Sequence, residues 1–400
     1  MRQGSAGVGA ETRPRVDLLD PELYRRDPHD VWAWMRANEP VYRDEPNGLW
    51  AVTRHADVMD VERRSMVFSS RGYRAVLAPD EANMIAQDDP RHRQQRMLVQ
   101  GELTRAAVAG RRAEIDALVT ELVDVCMEKG TFDVVPTLAA QVAARLTTRL
   151  LGFPEEMWPD LQSWSERLMR TDMRERDPRV MADFIDANRE FLAAMAPVMA
   201  ARTACPAHDF MSIWAHAEID GERLPPASVF HEVGLFIAGG AETTRTAISH
   251  GLRAFCDHPD QWDAMGSDPS LVDGAVEEVL RWVTPLNNFF RTVLTDDTVG
   301  GRPVSAGDRV VLLYPSANRD ESVFADPFRF DIRRDPNPHL SFGFGTHLCI
   351  GANLARAVLR SVFGQLSSRS NAPVPVTQPD VEPNIFARAV RSFVVSVTPR

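Results

Sequence analysis

The stretch Phe342-Gly343-Phe344-Gly345-Thr346-His347-Leu348-Cys349-Ile350-Gly351 decides the fold of this 400-residue chain. Glycines punctuate a loop that delivers a cysteine, and the apolar residues Leu354, Val358 and Leu359 then recur at helical spacing. The pattern predicts that Cys349 lies at the start of an amphipathic helix. Free backbone N–H groups and the positive end of the helix dipole favour the thiolate there. The glycines would let a flat cofactor approach the backbone.

The composition narrows the classes of function. The chain has 45 Lys+Arg against 56 Asp+Glu, a net charge of −11, which argues against a sequence-independent nucleic-acid binder. With 44% hydrophobic and 25% charged residues, it is typical of a globular protein with a large core. No run approaches the roughly 18 apolar residues of a membrane helix, and residues 1–16 lack an apolar core. We therefore expect no membrane anchor, no signal peptide and a cytoplasmic location.

Four cysteines occur without a CxxC pair, which argues against a disulfide scaffold and a zinc ribbon. Cys126, Cys205 and Cys256 lie in helical patterns without neighbouring glycines, so we interpret them as structural. A lone cysteine is more often a small buried residue than a ligand, and only the surrounding glycine pattern favours a ligand at Cys349. A cysteine hydrolase using Cys349 and His347 is a rival hypothesis. Two residues separated by one position do not readily adopt nucleophile and base geometry.

The fold class predicted by periodicity is mainly α with a smaller β region. We expect a flexible tail over residues 1–16 and a single domain over 17–400, with a small β-rich N-terminal part and a larger helical part. The expected helices cover 18–38, much of 91–201, 226–256 with Ser228 as cap, 270–283 and a segment from about 351. The expected strands cover 40–44, 49–53, 310–313 and 393–397. Gly239-Gly240 is expected to interrupt the long helix, because glycine destabilises helix interiors by about 1 kcal/mol.

The cysteine loop resembles the haem-binding signature of the cytochrome P-450 superfamily, Phe-x-x-Gly-x-x-x-Cys-x-Gly. Phe342, Gly345, Cys349 and Gly351 stand at the signature positions. The resemblance implies the cytochrome P-450 fold, with haem b between the long interrupted helix and the helix after the cysteine loop. It also implies that Cys349 is the axial thiolate, a ligand that pushes electron density onto iron and favours O–O cleavage.

The resemblance further implies a set of residues that hold the haem. The propionates would meet His92 and Arg96, spaced i and i+4 after the predicted cap Asp89, together with Arg291 and His347. Each of these side chains alone is more often merely solvated, so the argument rests on the set. Other expected haem contacts are Phe342, Gly345, Gly351, Ala238 and Gly239.

The segment Gly239-Gly240-Ala241-Glu242-Thr243-Thr244 resembles the acid and alcohol pair on the oxygen side of the haem. Dioxygen activation consumes protons, so the resemblance assigns proton relay to Glu242 and water orientation to the Thr243 hydroxyl. In the alternative interpretation, Thr243 bonds a backbone carbonyl and bends the helix. That alternative is compatible with the catalytic role, because a bend opens a groove for oxygen.

Three further residues are predicted to be structural. Glu278 and Arg281, at i and i+3, resemble the superfamily's Glu-x-x-Arg element, and Arg329 resembles its third member. A buried group of this kind would fix the segment that precedes the cysteine loop.

The expected substrate is a hydrophobic small molecule such as a sterol, lipid, terpenoid or macrolide. Methionines at 169, 173, 181, 195 and 199 suggest a pliable lid, although methionine at helical spacing is more often core filling. The lining positions implied by the resemblance are 71–86, 169–199, 236, 238, 286–290 and 384–386, among them Phe236, Leu286, Phe289, Phe290, Ile385 and Phe386.

The chain lacks a GxGxxG fingerprint, so electrons from NAD(P)H would arrive through a separate ferredoxin and ferredoxin reductase. The arginines at 91, 93, 105, 111, 112, 356 and 360 would form the docking face, although they could equally be a solvated surface. The predicted activity is activation of O2 and hydroxylation of an unactivated C–H bond. Alternatives are a non-catalytic haem protein or, within the superfamily, an epoxidase or oxidative-coupling enzyme.

Overall fold

The structure is a computed structural model that describes residues 13–78, 81–173 and 177–400. Helices dominate, as predicted. They are α1 (Pro21–Arg25), α2 (His29–Asn38), α3 (His55–Arg63), α4 (Arg91–Val99), α5 (Arg105–Gly110), α6 (Arg112–Lys129), α7 (Ala140–Leu151), α8 (Trp158–Met169), α9 (Pro178–Ala204), α10 (Phe210–His216), α11 (Pro226–Asp257), α12 (Pro259–Ser267), α13 (Val272–Val283), α14 (Tyr314–Ala317) and α15 (Ala352–Arg369).

The strands are short and form a smaller β region. They are β1 (Val41–Asp44), β2 (Leu49–Val52), β3 (Phe68–Ser69), β4 (Thr131–Asp133), β5 (Glu218–Ile219), β6 (Glu222–Arg223), β7 (Phe289–Val293), β8 (Asp297–Val299), β9 (Arg302–Val304), β10 (Arg309–Leu312), β11 (Val374–Pro375), β12 (Asp380–Val381), β13 (Val390–Ser392) and β14 (Val394–Ser396).

The main sheet joins distant parts of the chain in the order β1-β2-β10-β7-β3. β10 pairs in parallel with β2 and antiparallel with β7, so that Val310 lies opposite both Trp50 and Arg291. Another sheet has the order β11-β14-β4. The N-terminal and C-terminal halves therefore share one β region, which places Arg291 beside the helical core.

Helix α11 is the centre of the helical body and packs against α7, α8, α13 and α15. The predicted interruption at Gly239-Gly240 is wrong, because α11 is one continuous helix from Pro226 to Asp257. A Cβ on Gly240 would lie 2.7 Å from Thr147 Oγ1 of α7, whereas a Cβ on Gly239 would meet nothing within 4 Å. One glycine permits close helix packing, and its neighbour leaves an open face.

Most predicted elements are confirmed, including β1, β2, β10, β14 and α15. The single helix expected over 18–38 is instead α1 and α2, separated by residues 26–28. Ser228 is not a cap, since it lies inside α11, whose N-cap is Pro225. Pro90, and not Asp89, occupies the N-cap of α4.

A flexible tail is predicted for residues 1–16, of which 1–12 lie outside the described residues. Residues 13–16 are hydrogen-bonded to the rest of the protein. Arg13 Nε donates to Glu39 at 2.7 Å, and the Val16 amide donates to Tyr42 Oη at 3.3 Å. Residues 13–16 are therefore not part of a flexible tail. In the described part of the chain, no helix combines the length and apolarity needed to cross a membrane.

The predicted structural group is confirmed for two members and corrected for the third. Glu278 and Arg281 are fully buried, and two hydrogen bonds of 2.7 and 2.8 Å join their side chains. The Arg329 side chain is 68% exposed, so its predicted role is wrong. Arg334, whose side chain is 9% exposed, reaches Glu278 at 3.2 Å instead. Arg329 contributes only its backbone carbonyl, which accepts from Arg281 and Arg334.

Candidate active site

A cavity of about 610 Å³ lies between α11 and the cysteine loop. Cys349 borders it on one side, and Thr243 and Thr244 of α11 border it as well. Most of the remaining wall is apolar, with Phe289 and Phe386 forming an edge-to-face pair whose ring centroids lie 5.2 Å apart. The residues singled out on separate elements thus face one internal space.

Backbone hydrogen bonds shape the loop around Cys349. Its amide donates to the Phe342 carbonyl at 2.8 Å, and the Ala352 amide donates to the Cys349 carbonyl at 3.3 Å as α15 begins. The side chain is exposed to the cavity. Burial raises the pKa of the Cys349 thiol, while the Gly351 amide, Arg96 and Arg356 lower it. Burial therefore outweighs the predicted helix-terminus effect, and a bound metal cation would favour the thiolate.

Two glycines of the loop adopt backbone conformations that favour glycine, and one of them, Gly343, also borders the cavity. Gly343 and Gly345 have φ angles of +68° and +69°, which disfavour side chains. A Cβ on Gly345 would lie 2.7 Å from the Glu62 carbonyl of α3. Phe342, Gly343 and Gly351 border the cavity, whereas Gly345 does not, so the structure does not bring Gly345 together with the other predicted haem contacts.

The four predicted propionate-binding side chains all border the cavity. The rings of His92 and His347 lie 4.1 Å apart, and buried His92 Nε2 has no hydrogen-bond partner. Burial, together with the charges of Arg291, His92 and Arg96, lowers the pKa of His347 to about 2. Bound carboxylates would oppose this shift. The cluster therefore suits two anionic groups.

Sequence analysis missed Glu62, a buried carboxyl group at the same end of the cavity. Glu62 Oε1 accepts from Tyr314 Oη at 2.5 Å and from Arg291 at 3.4 Å. Its Oε2 is buried without a partner. Burial raises the pKa of Glu62, and Arg291 lowers it. Its spacing in the sequence could have indicated that Glu62 is buried, because it follows Val58 by four residues on the buried face of α3.

Thr243 and Glu242 point in different directions from α11. The Thr243 hydroxyl donates to the Gly239 carbonyl at 2.8 Å, the arrangement of the alternative interpretation, and it borders the cavity. Glu242 is buried and does not border the cavity. Its carboxylate accepts from Arg245 at 2.5 Å and from Thr246 Oγ1 at 3.3 Å. Arg245 also pairs with Glu166 of α8.

The predicted substrate wall is partly reproduced. Residues that border the cavity as expected are Phe236, Ala238, Gly239, Leu286, Phe289 and Phe386. Phe290 and Ile385 instead pack in a core cluster away from it. Successive strand residues face opposite sides, so Phe289 and Phe290 cannot both face the cavity. Of the five methionines in the predicted lid, only Met169 borders it. The polar lining residues Tyr73, Arg74, Glu81 and Asn188 fall within the predicted ranges 71–86 and 169–199, and only His231 was not predicted.

The site suits an iron porphyrin with two carboxylates. One thiol faces the cavity, four cationic or donor side chains cluster at one end, and His92 Nε2 has no partner. The described residues contain no group of three or more His, Cys, Asp or Glu side chains able to hold a metal ion. A metal at Cys349 would therefore need ligands from a prosthetic group, which is what haem provides.

Comparison with known proteins decides the family. A family model described as Cytochrome P-450 matches residues 261–383. A steroid C26-monooxygenase of Mycolicibacterium smegmatis is 36% identical over 396 residues, covering 97% of this chain and 97% of that protein. The chain is a cytochrome P-450. Its family implies haem and O2-dependent monooxygenation, which sets aside the cysteine hydrolase.

Other relatives agree on fold and activity. A linalool 8-monooxygenase of Pseudomonas putida is 34% identical and covers 89% of this chain and 92% of its own length. The structure of a Mycobacterium marinum cytochrome P-450, CYP268A2, in complex with pseudoionone has a TM-score of 0.88 at 32% identity, covering 97% of this chain and 100% of that one. This cytochrome P-450 is thus a monooxygenase of hydrophobic small molecules, as predicted.

The arginines predicted to form a docking face differ in their pairing. Four bind acidic side chains of this chain: Arg111 with Glu102, Arg112 with Asp116, Arg356 with Glu277 and Arg360 with Asp273. Within the described ranges, Arg91, Arg93 and Arg105 have no acidic partner within 4.0 Å. These three are the better candidates for contact with another protein.

Proposed function

We propose that this cytochrome P-450 hydroxylates a steroid, with an acyclic terpenoid as the second candidate substrate. The carrying observation is the apolar cavity that joins Cys349 and Thr243 to an aromatic wall of Phe289 and Phe386. Such a wall binds fused rings or branched chains through buried area rather than through many hydrogen bonds. The steroid is favoured by the Mycolicibacterium relative, and the terpenoid by the linalool 8-monooxygenase.

The roles of the residues follow from their positions. Cys349 would ligate the iron, Arg96, Arg291, His92 and His347 would bind the propionates, and Phe342, Gly351, Ala238 and Gly239 border the space for the macrocycle. When bound, haem supplies the activation of O2 and the insertion of one oxygen atom. The apolar wall excludes water from the reacting centre, and the thiol faces that centre from the loop.

Protons would reach the site through a buried ionic network. The Glu166 side chain is 30% exposed and pairs with Arg245, which in turn pairs with Glu242. A rotation of Glu242 away from Arg245 would bring its carboxyl group toward Thr243, the next residue on α11. The Thr243 hydroxyl would then donate at the oxygen side of the site while it accepts a proton from water or Glu242.

Electrons would come from NAD(P)H through a separate ferredoxin and its reductase, in the cytoplasm. Arg91, Arg93 and Arg105 carry positive charge on α4 and α5, close in sequence to the haem-binding His92 and Arg96. Exposed Met97 and Leu348 add apolar surface, and Leu348 directly precedes Cys349. A small acidic ferredoxin would complement this surface.

The substrate proposal is tested by turnover with a surrogate acidic ferredoxin, its reductase and NADPH. Cholestanol, linalool and pseudoionone are incubated separately, and products are identified by mass spectrometry. We expect one added oxygen on cholestanol, at a higher rate than on either terpenoid. A faster reaction with linalool or pseudoionone would favour the second candidate. If none of the three compounds is oxidised although NADPH is consumed, both candidate substrate classes are contradicted.

A further inference from the structure

A polar cluster stands in the cavity wall on the segment between β3 and α4. Glu81 Oε1 accepts hydrogen bonds from Tyr73 Oη at 2.9 Å and from Asn83 Nδ2 at 2.7 Å. Tyr73 and Asn83 are buried, and all three residues border the cavity. Two donors thus hold one carboxylate oxygen of Glu81, which fixes the orientation of the group.

The other oxygen, Glu81 Oε2, forms no hydrogen bond or ion pair with any residue that the structure describes. The guanidinium group of the neighbouring Arg74 makes its hydrogen bonds elsewhere. It donates to Asp172 at 3.1 Å and to the carbonyls of Leu168 and Met169 at 3.3 and 3.1 Å. A carboxylate oxygen can only accept hydrogen bonds. Glu81 therefore offers a ligand an oriented acceptor that no cationic side chain binds directly.

Contacts with α11 hold this segment in place. The Ala82 amide donates to His231 Nδ1 at 3.1 Å, and the Met84 amide donates to Glu232 Oε1 at 2.9 Å. His231 precedes Thr243 by twelve residues on one continuous helix, which corresponds to about 18 Å along the axis. The segment is thus anchored far from Thr243, so one ligand can contact the Glu81 region and the reacting centre with different parts.

We propose that Glu81 binds a hydroxyl group of the substrate, whose O–H donates to Oε2 while an apolar part of the same molecule lies near Cys349 and Thr243. This inference rests on the proposed function and names the substrate class as a hydrophobic alcohol. A ketone lacks the donor, and a carboxylate would be repelled. An ammonium group would pay a larger desolvation cost than a neutral hydroxyl in this apolar cavity.

The test measures dissociation constants from ligand-induced spin-state changes in the haem-loaded protein. Two pairs of probes share their skeletons: cholestanol with cholestanone, and dodecanol with dodecanoic acid. We expect each alcohol to bind at least tenfold more tightly than its partner, because hydrogen bonds to ionised groups discriminate strongly. In Glu81→Gln the amide can still accept from Tyr73 and Asn83, and it presents N–H donors in place of Oε2. The preference should shift toward cholestanone.

Glu128→Gln is the matched control, since Glu128 is exposed on α6 and does not border the cavity. This variant should keep the preference for alcohols. Equal affinities within both pairs in the unaltered protein, an unchanged preference in Glu81→Gln, or no spectral response to either alcohol would overturn the inference. The proposed function fails separately if the protein binds haem without a thiolate signature, which is read from the carbon monoxide spectrum before any titration.

Discussion

Thr147 Oγ1 lies 2.7 Å from the position that a Cβ would take on Gly240. The Thr147 hydroxyl is held there, because it donates to the Ala143 carbonyl at 2.8 Å within α7. The adjacent Gly239 has no such neighbour. Both glycines of α11 border the cavity, but only Gly240 lies at a close helix contact.

Alanine at each glycine should distinguish the two positions. We expect Gly240→Ala to lower the free energy of unfolding by about 1–3 kcal/mol, the range for overpacking. Gly239→Ala should be neutral or stabilising, since alanine favours a helix by about 1 kcal/mol over glycine. Urea denaturation followed by circular dichroism measures both. Equal stability of the two variants would show that the contact with Thr147 relaxes without cost.

Arg334 and Arg329 form a matched pair for testing the buried ionic group. Arg334→Ala removes a partner of buried Glu278, and we expect a loss of about 3 kcal/mol in unfolding free energy together with lower haem content. Arg329→Ala removes an exposed side chain but keeps the carbonyl that Arg281 needs, so a change below about 0.5 kcal/mol is expected. A larger loss of unfolding free energy in Arg329→Ala than in Arg334→Ala would support the predicted structural role of Arg329.

The sequence predicted the helix-rich fold class, the positions of β1, β2 and α15, and the four side chains that cluster near Cys349. These features depend on local periodicity or on a motif of fixed spacing. The arginine that joins Glu278 and Arg281 could not be predicted in this way. Arg329 and Arg334 lie in the same irregular segment, and only the folded path of that segment determines which side chain reaches Glu278. Phe290 was misplaced because the alternation of β7 was not applied to it. Glu62 was missed, since its partners Tyr314 and Arg291 are distant in sequence. Glu81 fell within the predicted lining range 71–86, but no role was predicted for it.

Glu242 should control proton supply without holding the haem. In Glu242→Gln the amide cannot carry a proton, and we expect product formation to fall by roughly a hundredfold, within the range for general acid–base catalysis. Haem content should stay unchanged, as Glu242 does not border the cavity. Turnover in H2O and D2O, with the carbon monoxide spectrum as a check on folding, measures the effect. Unchanged turnover would remove Glu242 from the proton route.

Substitutions of Thr243 test whether its hydroxyl donates at the oxygen side of the site. Thr243→Ala should retain haem but divert electrons from NADPH into hydrogen peroxide, because the hydroxyl that donates at the oxygen side is lost. Thr243→Ser keeps that hydroxyl and should restore most of the coupling between NADPH consumption and product. If the alanine variant remained as coupled as the serine variant, the Thr243 bond to Gly239 would be purely structural.

Glu232 should give the folded protein a characteristic pH dependence. Burial raises the pKa of this carboxyl group to about 8, although the Met84 amide and Arg91 lower it. The ordinary glutamate pKa is about 4.3. Between these values the folded state retains a proton that the unfolded state has released, so its stability falls as pH rises.

Substitution of this group by glutamine should remove that dependence. Glu232→Gln keeps an acceptor for Met84 and carries no charge, so its stability advantage over the unaltered protein should grow from pH 5 to pH 8 and level off above. Each pH unit in this window corresponds to about 1.4 kcal/mol. Urea denaturation at several pH values measures it, with exposed Glu218→Gln as the control. Parallel curves for Glu232→Gln and the unaltered protein would refute a neutral Glu232.

The central claim is that Cys349 is the axial ligand of a bound haem. Its most direct test is the absorption spectrum of the purified, haem-supplied protein after reduction and exposure to carbon monoxide, recorded beside Cys349→His. The account predicts a strongly red-shifted Soret band in the unaltered protein and its loss in the variant. A protein that takes up no haem, or a red-shifted band that persists in Cys349→His, would contradict it.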